Sequence, residues 1–206
     1  TNACGVATRP TVLEAWQAAL QADNVSAFGG ILISNTKIDL ATAQAVDEIF
    51  YEVLLAPDFD PAAAELLVKK KNRILLKIKH FDVQARNFRS LLNGVIEQDT
   101  DLAIEAQDDF KVVSKKAPTT AEIKDMIFAN KCVKHLKSNA IALAKNAQLI
   151  GMGCGQTSRV DSMRHAIEKA NRFGLDIKGA VMASDAFFPF ADSVQLAHEA
   201  GVTAVV

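Results

Sequence analysis

Three glycines at alternate positions, Gly151, Gly153 and Gly155, lie between an apolar run and the polar stretch Gln156-Thr157-Ser158-Arg159. Ahead of them stand Lys137-Ser138-Asn139 and another apolar run over 140–144. The order reads as a strand pair, a turn that needs glycine for backbone reasons, and a helix start. Such a unit commits the chain to layers in which strands feed helices. The same alternation runs upstream. Helices are predicted over 10–23, where Val12, Leu13, Trp16 and Leu20 share a face, over 40–49, and from Pro61 to lysines 69–71. Proline suits a first helical position, where its missing N–H costs nothing, and lysines suit a helix C-terminus. Strands are expected over 31–33, 52–56 and 74–78.

The apolar rhythm breaks over 80–89. Beyond it, strands are expected over 91–98, 110–113, 140–144, 149–150 and 179–183. Helices are expected from 118–120 onward, with Ile123, Met126, Ile127 and Val133 inward, and over 160–173 and 193–200. The fold class is α/β. A boundary near Asn87 divides the chain into units 1–86 and 87–206. Both ends read as interior sequence, Cys4-Gly5-Val6-Ala7 resembling mid-motif and 201–206 a buried strand, so the chain is expected to be part of a longer one.

A formal charge of −1 gives no electrostatic basis for nucleic acid or an anionic membrane. No apolar run reaches spanning length. Cysteines 4, 132 and 154 are odd in number and far apart, which fits a reduced, cytoplasmic setting.

The glycine cluster lacks the third glycine of a dinucleotide fingerprint at its proper spacing, and the Lys-Ser/Thr ending of a P-loop. A nicotinamide enzyme is therefore disfavoured. Backbone N–H groups and Arg159 at a helix N-terminus would suit a carboxylate or phosphate. Asn139 offers an amide donor and acceptor, or is simply a turn residue. Phe187, Phe188 and Phe190 would pass for core, but Asp185 and Asp192 beside them suit the rim of a slot for a planar heterocycle. The four histidines, 80, 135, 165 and 198, show no metal spacing, and ligand count excludes a zinc deaminase site.

Several stretches together carry a resemblance: Cys4-Gly-Val-Ala7, Ser26-Ala-Phe-Gly-Gly30, Glu52-Val-Leu-Leu-Ala-Pro57, Lys69-Lys-Lys-Asn72, Lys137-Ser-Asn-Ala-Ile141, Gly153-x-Gly-Gln-x-Ser-Arg-Val160 and Ala183-Ser-Asp-Ala-Phe-Phe-Pro-Phe190. Through them the chain resembles, end to end, the transformylase part of the bifunctional purine-synthesis enzyme that joins AICAR formyltransferase to IMP cyclohydrolase. The resemblance implies two cytidine-deaminase-like α/β/α units with mixed sheets and no zinc. It implies transfer of a formyl group from formyl-tetrahydrofolate to the amine of aminoimidazole carboxamide ribonucleotide, within a homodimer. By position, Asn139 would hold the amine and carboxamide and serve catalysis, with Arg159, Gly29 and Glu52 as further substrate contacts. Val160, Phe187 and Asp192 would line the folate side. The family's Lys-His pair would stand just before Thr1, so the chain by itself is expected to be inactive. A non-catalytic nucleotide- or folate-binding module of the same fold is the second reading.

Overall fold

The computed structural model describes residues 2–80 and 82–206. Thr1, before which the Lys-His pair is expected, lies outside the described residues. Strands β1 (Gly30–Ile33), β2 (Tyr51–Ala56) and β3 (Ile74–Lys77) form a parallel sheet in that order. Helices α2 (Leu40–Asp47) and α3 (Pro61–Leu67) connect them. Right-handed crossovers between neighbouring strands in sequence order put both helices on one face. There Leu32, Leu54 and Leu75 meet Val46, Leu67 and, from α1 (Val12–Ala22), Trp16. The other face carries Ile31, Ile33, Ile74 and Leu76, exposed by 70, 73, 53 and 45%. Parallel sheets are ordinarily covered on both sides; this one is covered on one.

The residues expected as one strand over 91–98 form a hairpin, β4 (Arg86–Leu91) paired antiparallel with β5 (Gly94–Asp99). The strand-like composition runs on across the turn and hides it, although Leu92 takes a φ of 46° there. No strand forms over 110–113 either. That segment is irregular and follows a 3₁₀ turn at Gln107–Asp109, with Val112 and Val113 exposed. Valines favour a pleated surface only where another strand supplies one.

The second sheet runs β7 (Gln148–Gly153), β6 (Ile141–Lys145), β8 (Val181–Ser184), β9 (Ala204–Val205). Strand β6 is antiparallel to both neighbours, whereas β8 and β9 are parallel, so the sheet is mixed. Helix α4 (Thr120–Lys134) covers one face, packing Met126, Ala129 and Val133 on Ala140, Ala142, Ala144 and Ala183. Helices α5 (Arg159–Arg172) and α6 (Asp192–Ala200) cover the other, over Ile141, Leu143 and Met182. This is an α/β/α sandwich. The run 201–206, expected as a buried strand, is a paired edge: Val202 is buried, but Val205 in β9 is exposed. Ala7 bridges to Gln148 on the outer edge of β7. The Asp23–Lys169 ion pair ties the end of α1 to α5.

Helix starts follow local chemistry. Thr11 with Glu14, and Thr119 with Glu122, form capping boxes that satisfy otherwise orphaned N–H groups. Hydrogen bonds from the Thr203 hydroxyl and from Thr119 hold the Glu122 carboxyl at about 2, against an ordinary 4.5. A depressed carboxyl stabilises the fold fully above its unfolded value and loses that contribution as pH falls through the folded one. Glu122→Gln is therefore expected to flatten the acid limb of the stability curve between 4.5 and about 2. Urea midpoints measured across that window check it; parallel curves for variant and parent would refute it.

Candidate functional site

The site grows from the junction of β6, β7 and α5. Ser158 caps α5 by accepting from the Asp161 N–H, which fixes Arg159 as the first helical residue. The turn before it is held to β6's entry: Gly155 N–H donates to Lys137 O at 2.6 Å, and Asn139 N–H to Gln156 O at 3.3 Å. Gly155 needs its freedom, with a φ of +70°. Gly151 and Gly153 lie inside β7, not in the turn. A Cβ on Gly153 would come within 2.8 Å of two Ser162 backbone carbons, and one on Gly151 within 3.2 Å of Ala166 C. These two glycines seat α5 against the sheet.

Asn139 follows a cis Ser138–Asn139 peptide bond. Its side-chain amide donates to Gln156 O at 3.0 Å and Thr157 O at 3.3 Å, while Ser162 Oγ donates to its backbone carbonyl at 2.7 Å. The donor half of the amide is thus engaged by the turn. Among the described residues no group donates to its side-chain oxygen, which can accept from a ligand N–H.

Asp185, just past β8, gathers the neighbouring polar groups. It accepts from Ser138 Oγ, from Ala140 N–H at 2.9 Å and from Arg159 Nη2 at 3.0 Å. Arg159 and Asp185 side chains are only 11 and 14% exposed. Arg159 Nη1 donates to Phe187 O at 3.1 Å, and its buried Nε has no partner among the described residues. Burial pushes the Asp185 carboxyl up, but hydrogen bonds from Ser138, Ala140 and Arg159 outweigh it and hold the group below the usual range. The carboxylate is ionised and matched by the guanidinium.

The phenylalanines divide. Phe188 packs against the core beside α5 and α6, whereas Phe187 and Phe190 are 80 and 73% exposed. Val160 stands half-buried next to Arg159. Asp192 opens α6, exposed, its carboxylate accepting from the Ser193 N–H at 2.6 Å. The structure therefore brings Asn139, Arg159 and Phe187 into one network, with Val160 alongside. Gly29 and Glu52 belong to the other sheet, and no hydrogen bond or ion pair among the described residues joins them to it. Gly29 has a φ of +71° before β1, a left-handed conformation that suits glycine. Glu52 is exposed at the register shift where Gly30 pairs with Tyr51 and Ile31 with Val53. Sequence reasoning set Asp185 at the rim of an aromatic slot and missed its pairing with Arg159; a carboxylate one residue past a strand, with an arginine at a helix start, was the signal.

Away from this network, a cavity of about 600 Å³ lies under residues 101–105, lined by Ile104, Phe128, Cys132 and His135. Burial pushes the Cys132 thiol up to about 11, which leaves it unreactive. Among the described residues no three His, Cys, Asp or Glu gather as metal ligands, and no helix is long and apolar enough to cross a membrane.

Residues 1–169 match the profile of the AICARFT/IMPCHase bienzyme. Proteins described as bifunctional purine biosynthesis protein PurH are similar across the whole chain. That of Bacteroides thetaiotaomicron is 58% identical over 205 residues, that of Chlorobium chlorochromatii 49% over 207, and that of Persephonella marina 48% over 208. In each case all of this chain aligns with 40% of the relative.

Proposed function

The chain belongs to the AICARFT/IMPCHase bienzyme family, and on that footing we propose that it forms the transformylase core of a bifunctional enzyme of cytoplasmic purine synthesis. The reaction is transfer of a formyl group from formyl-tetrahydrofolate to the aromatic amine of aminoimidazole carboxamide ribonucleotide. That amine is a poor nucleophile, because its lone pair is delocalised into the ring and carboxamide. It must be oriented, relieved of a proton, and matched by stabilisation of the oxyanion at the formyl carbon. Asn139 orients it: the turn engages the donor half of its amide and leaves the oxygen as an N–H acceptor. Arg159 supplies positive charge at the start of α5, with Gly29 and Glu52 as further substrate contacts. Phe187 offers an exposed ring for the pterin, with Val160 and Asp192 as further folate contacts. The arrangement of Asn139, with donor half held and acceptor half open beside a buried Arg–Asp pair, carries this reading.

The division near Asn87 into two cytidine-deaminase-like units belongs to the same reading, as does a homodimer. The uncovered row Ile31, Ile33, Ile74 and Leu76 and the exposed β4–β5 hairpin support association. Sedimentation at micromolar concentration is expected to give a dimer that Ile33→Asp splits; a monomeric parent removes that part.

The chain spans 40% of the length of the curated relatives. Function is therefore best tested by grafting it in place of the matching segment of the Bacteroides thetaiotaomicron relative. The graft is expected to transfer formyl groups, and the chain by itself to do so at least about 10³-fold more slowly without the family's Lys-His pair. Comparable turnover by the chain would place the base within it, with His135 the first residue to change. In the graft, Phe187→Ala is expected to weaken folate-analogue binding by about 1–3 kcal/mol, the worth of one aromatic stack. Stability should move by no more than roughly 0.5 kcal/mol, as for other exposed positions. Lost stability with unchanged affinity per folded molecule would make Phe187 structural.

A further inference from the structure

We propose that Asp185 is a positioning residue for formyl transfer, a role that rests on the function proposed above: its single carboxylate sets the geometry of both Asn139 and Arg159. Asn139 lies between Ser138 and Ala140, and Asp185 accepts from both, from the hydroxyl of one and the backbone N–H of the other at 2.9 Å. The residue that presents the amide is thus fastened on each side to the same group. The oxygen that takes the Ala140 N–H also takes Arg159 Nη2 at 3.0 Å. Arg159 Nη1 is then held by Phe187 O at 3.1 Å, on the loop that Asp185 begins. Three segments remote in sequence, the entry to β6, the first turn of α5 and the loop after β8, are held by one side chain that is 14% exposed. Charge matters as well as shape. An asparagine could keep its oxygen for Ala140 and Arg159 and donate its amide to the Ser138 hydroxyl, yet it would leave Arg159 without its counter-charge. Asp185 itself needs no contact with substrate to act.

In the Bacteroides graft, Asp185→Asn is expected to lower kcat by about 10²-fold, the cost of misplacing reacting groups, with a smaller change in KM. Made on top of Asn139→Ala, it should cost clearly less than in the parent, since part of its effect runs through Asn139 and only the part through Arg159 remains; losses that multiply in full overturn the proposal. Ser138→Ala removes one tether and should lower kcat about tenfold while the melting temperature largely holds. It also decides the matter if Asp185→Asn fails to fold, because wild-type turnover in Ser138→Ala would then refute the role. In the full 206-residue chain, Arg159 guanidinium ¹H–¹⁵N signals should show slowed rotation that becomes averaged in Asp185→Asn. Unchanged Arg159 signals, or wild-type kcat in folded Asp185→Asn, overturn it. An unsubstituted graft that transfers no formyl group strikes the function reading instead, and the Arg159 spectrum then decides whether Asp185 positions it.

Discussion

Gly153→Ala is expected to cost about 3 kcal/mol or more of folding stability, the upper end of what overpacking does. An added methyl would stand 2.7 and 2.8 Å from the carbonyl carbon and Cα of Ser162, and closer still to its oxygen. These are backbone atoms of α5, so no rotamer change relieves the clash. Nor can Ser162 swing away freely, since its hydroxyl donates to Asn139 O at 2.7 Å and its N–H belongs to the first helical turn. The helix must shift as a body or the strand must buckle. Gly151 repeats the constraint one turn further along, where a Cβ would lie 3.2 Å from Ala166 C and 3.3 Å from Ala170 Cβ. Urea unfolding checks this, with Gly174→Ala as a control in which only a φ of +68° is strained and nothing lies within 4 Å. A Gly153→Ala midpoint no lower than that of the control would show that α5 does not press on β7.

Asn139→Ala in the graft is expected to reduce formyl transfer by about 10²–10³-fold, the range for removing one pre-aimed polar group from a transition state. Stability should fall by about 2 kcal/mol. Two hydrogen bonds are lost, to Gln156 O and Thr157 O, each worth about 1 kcal/mol net. The two effects separate because the variant removes the open acceptor together with the pinned donor, yet leaves Ser138 and Ala140 tied to Asp185. Steady-state rates corrected for folded fraction decide. Rates within twofold of the parent would take Asn139 out of the mechanism.

Much of the fold was legible because its signals are local. Thr11 with Glu14 and Thr119 with Glu122 mark helix starts, Pro61 sits at the start of α3, and short apolar runs such as 31–33 and 53–56 mark strands. The hairpin was not legible as two strands, because an exposed arm has no buried face to impose a break in pattern. The 110–113 segment misled for the opposite reason: β-branched residues were present, but no partner strand was. At the site, Asn139, Arg159 and Phe187 were singled out by residue type and motif. Their meeting depends on strand order, which places the end of β8 beside the start of β6. The purpose of Gly151 and Gly153 could have been read from Ser162, Ala166 and Ala170. These small residues, four apart on α5, form a strip that matches glycines two apart on β7.

The bare seam between β7 and α5 leaves little slack for variation. Any bulk added there lifts the first turn of the helix, and Arg159 with it, so ligand preference cannot be tuned from beneath. The tolerant direction is from above, on the solvent-facing loop that displays Phe187 and Phe190. Libraries aimed at a different flat co-substrate should be drawn from that loop and leave the seam untouched.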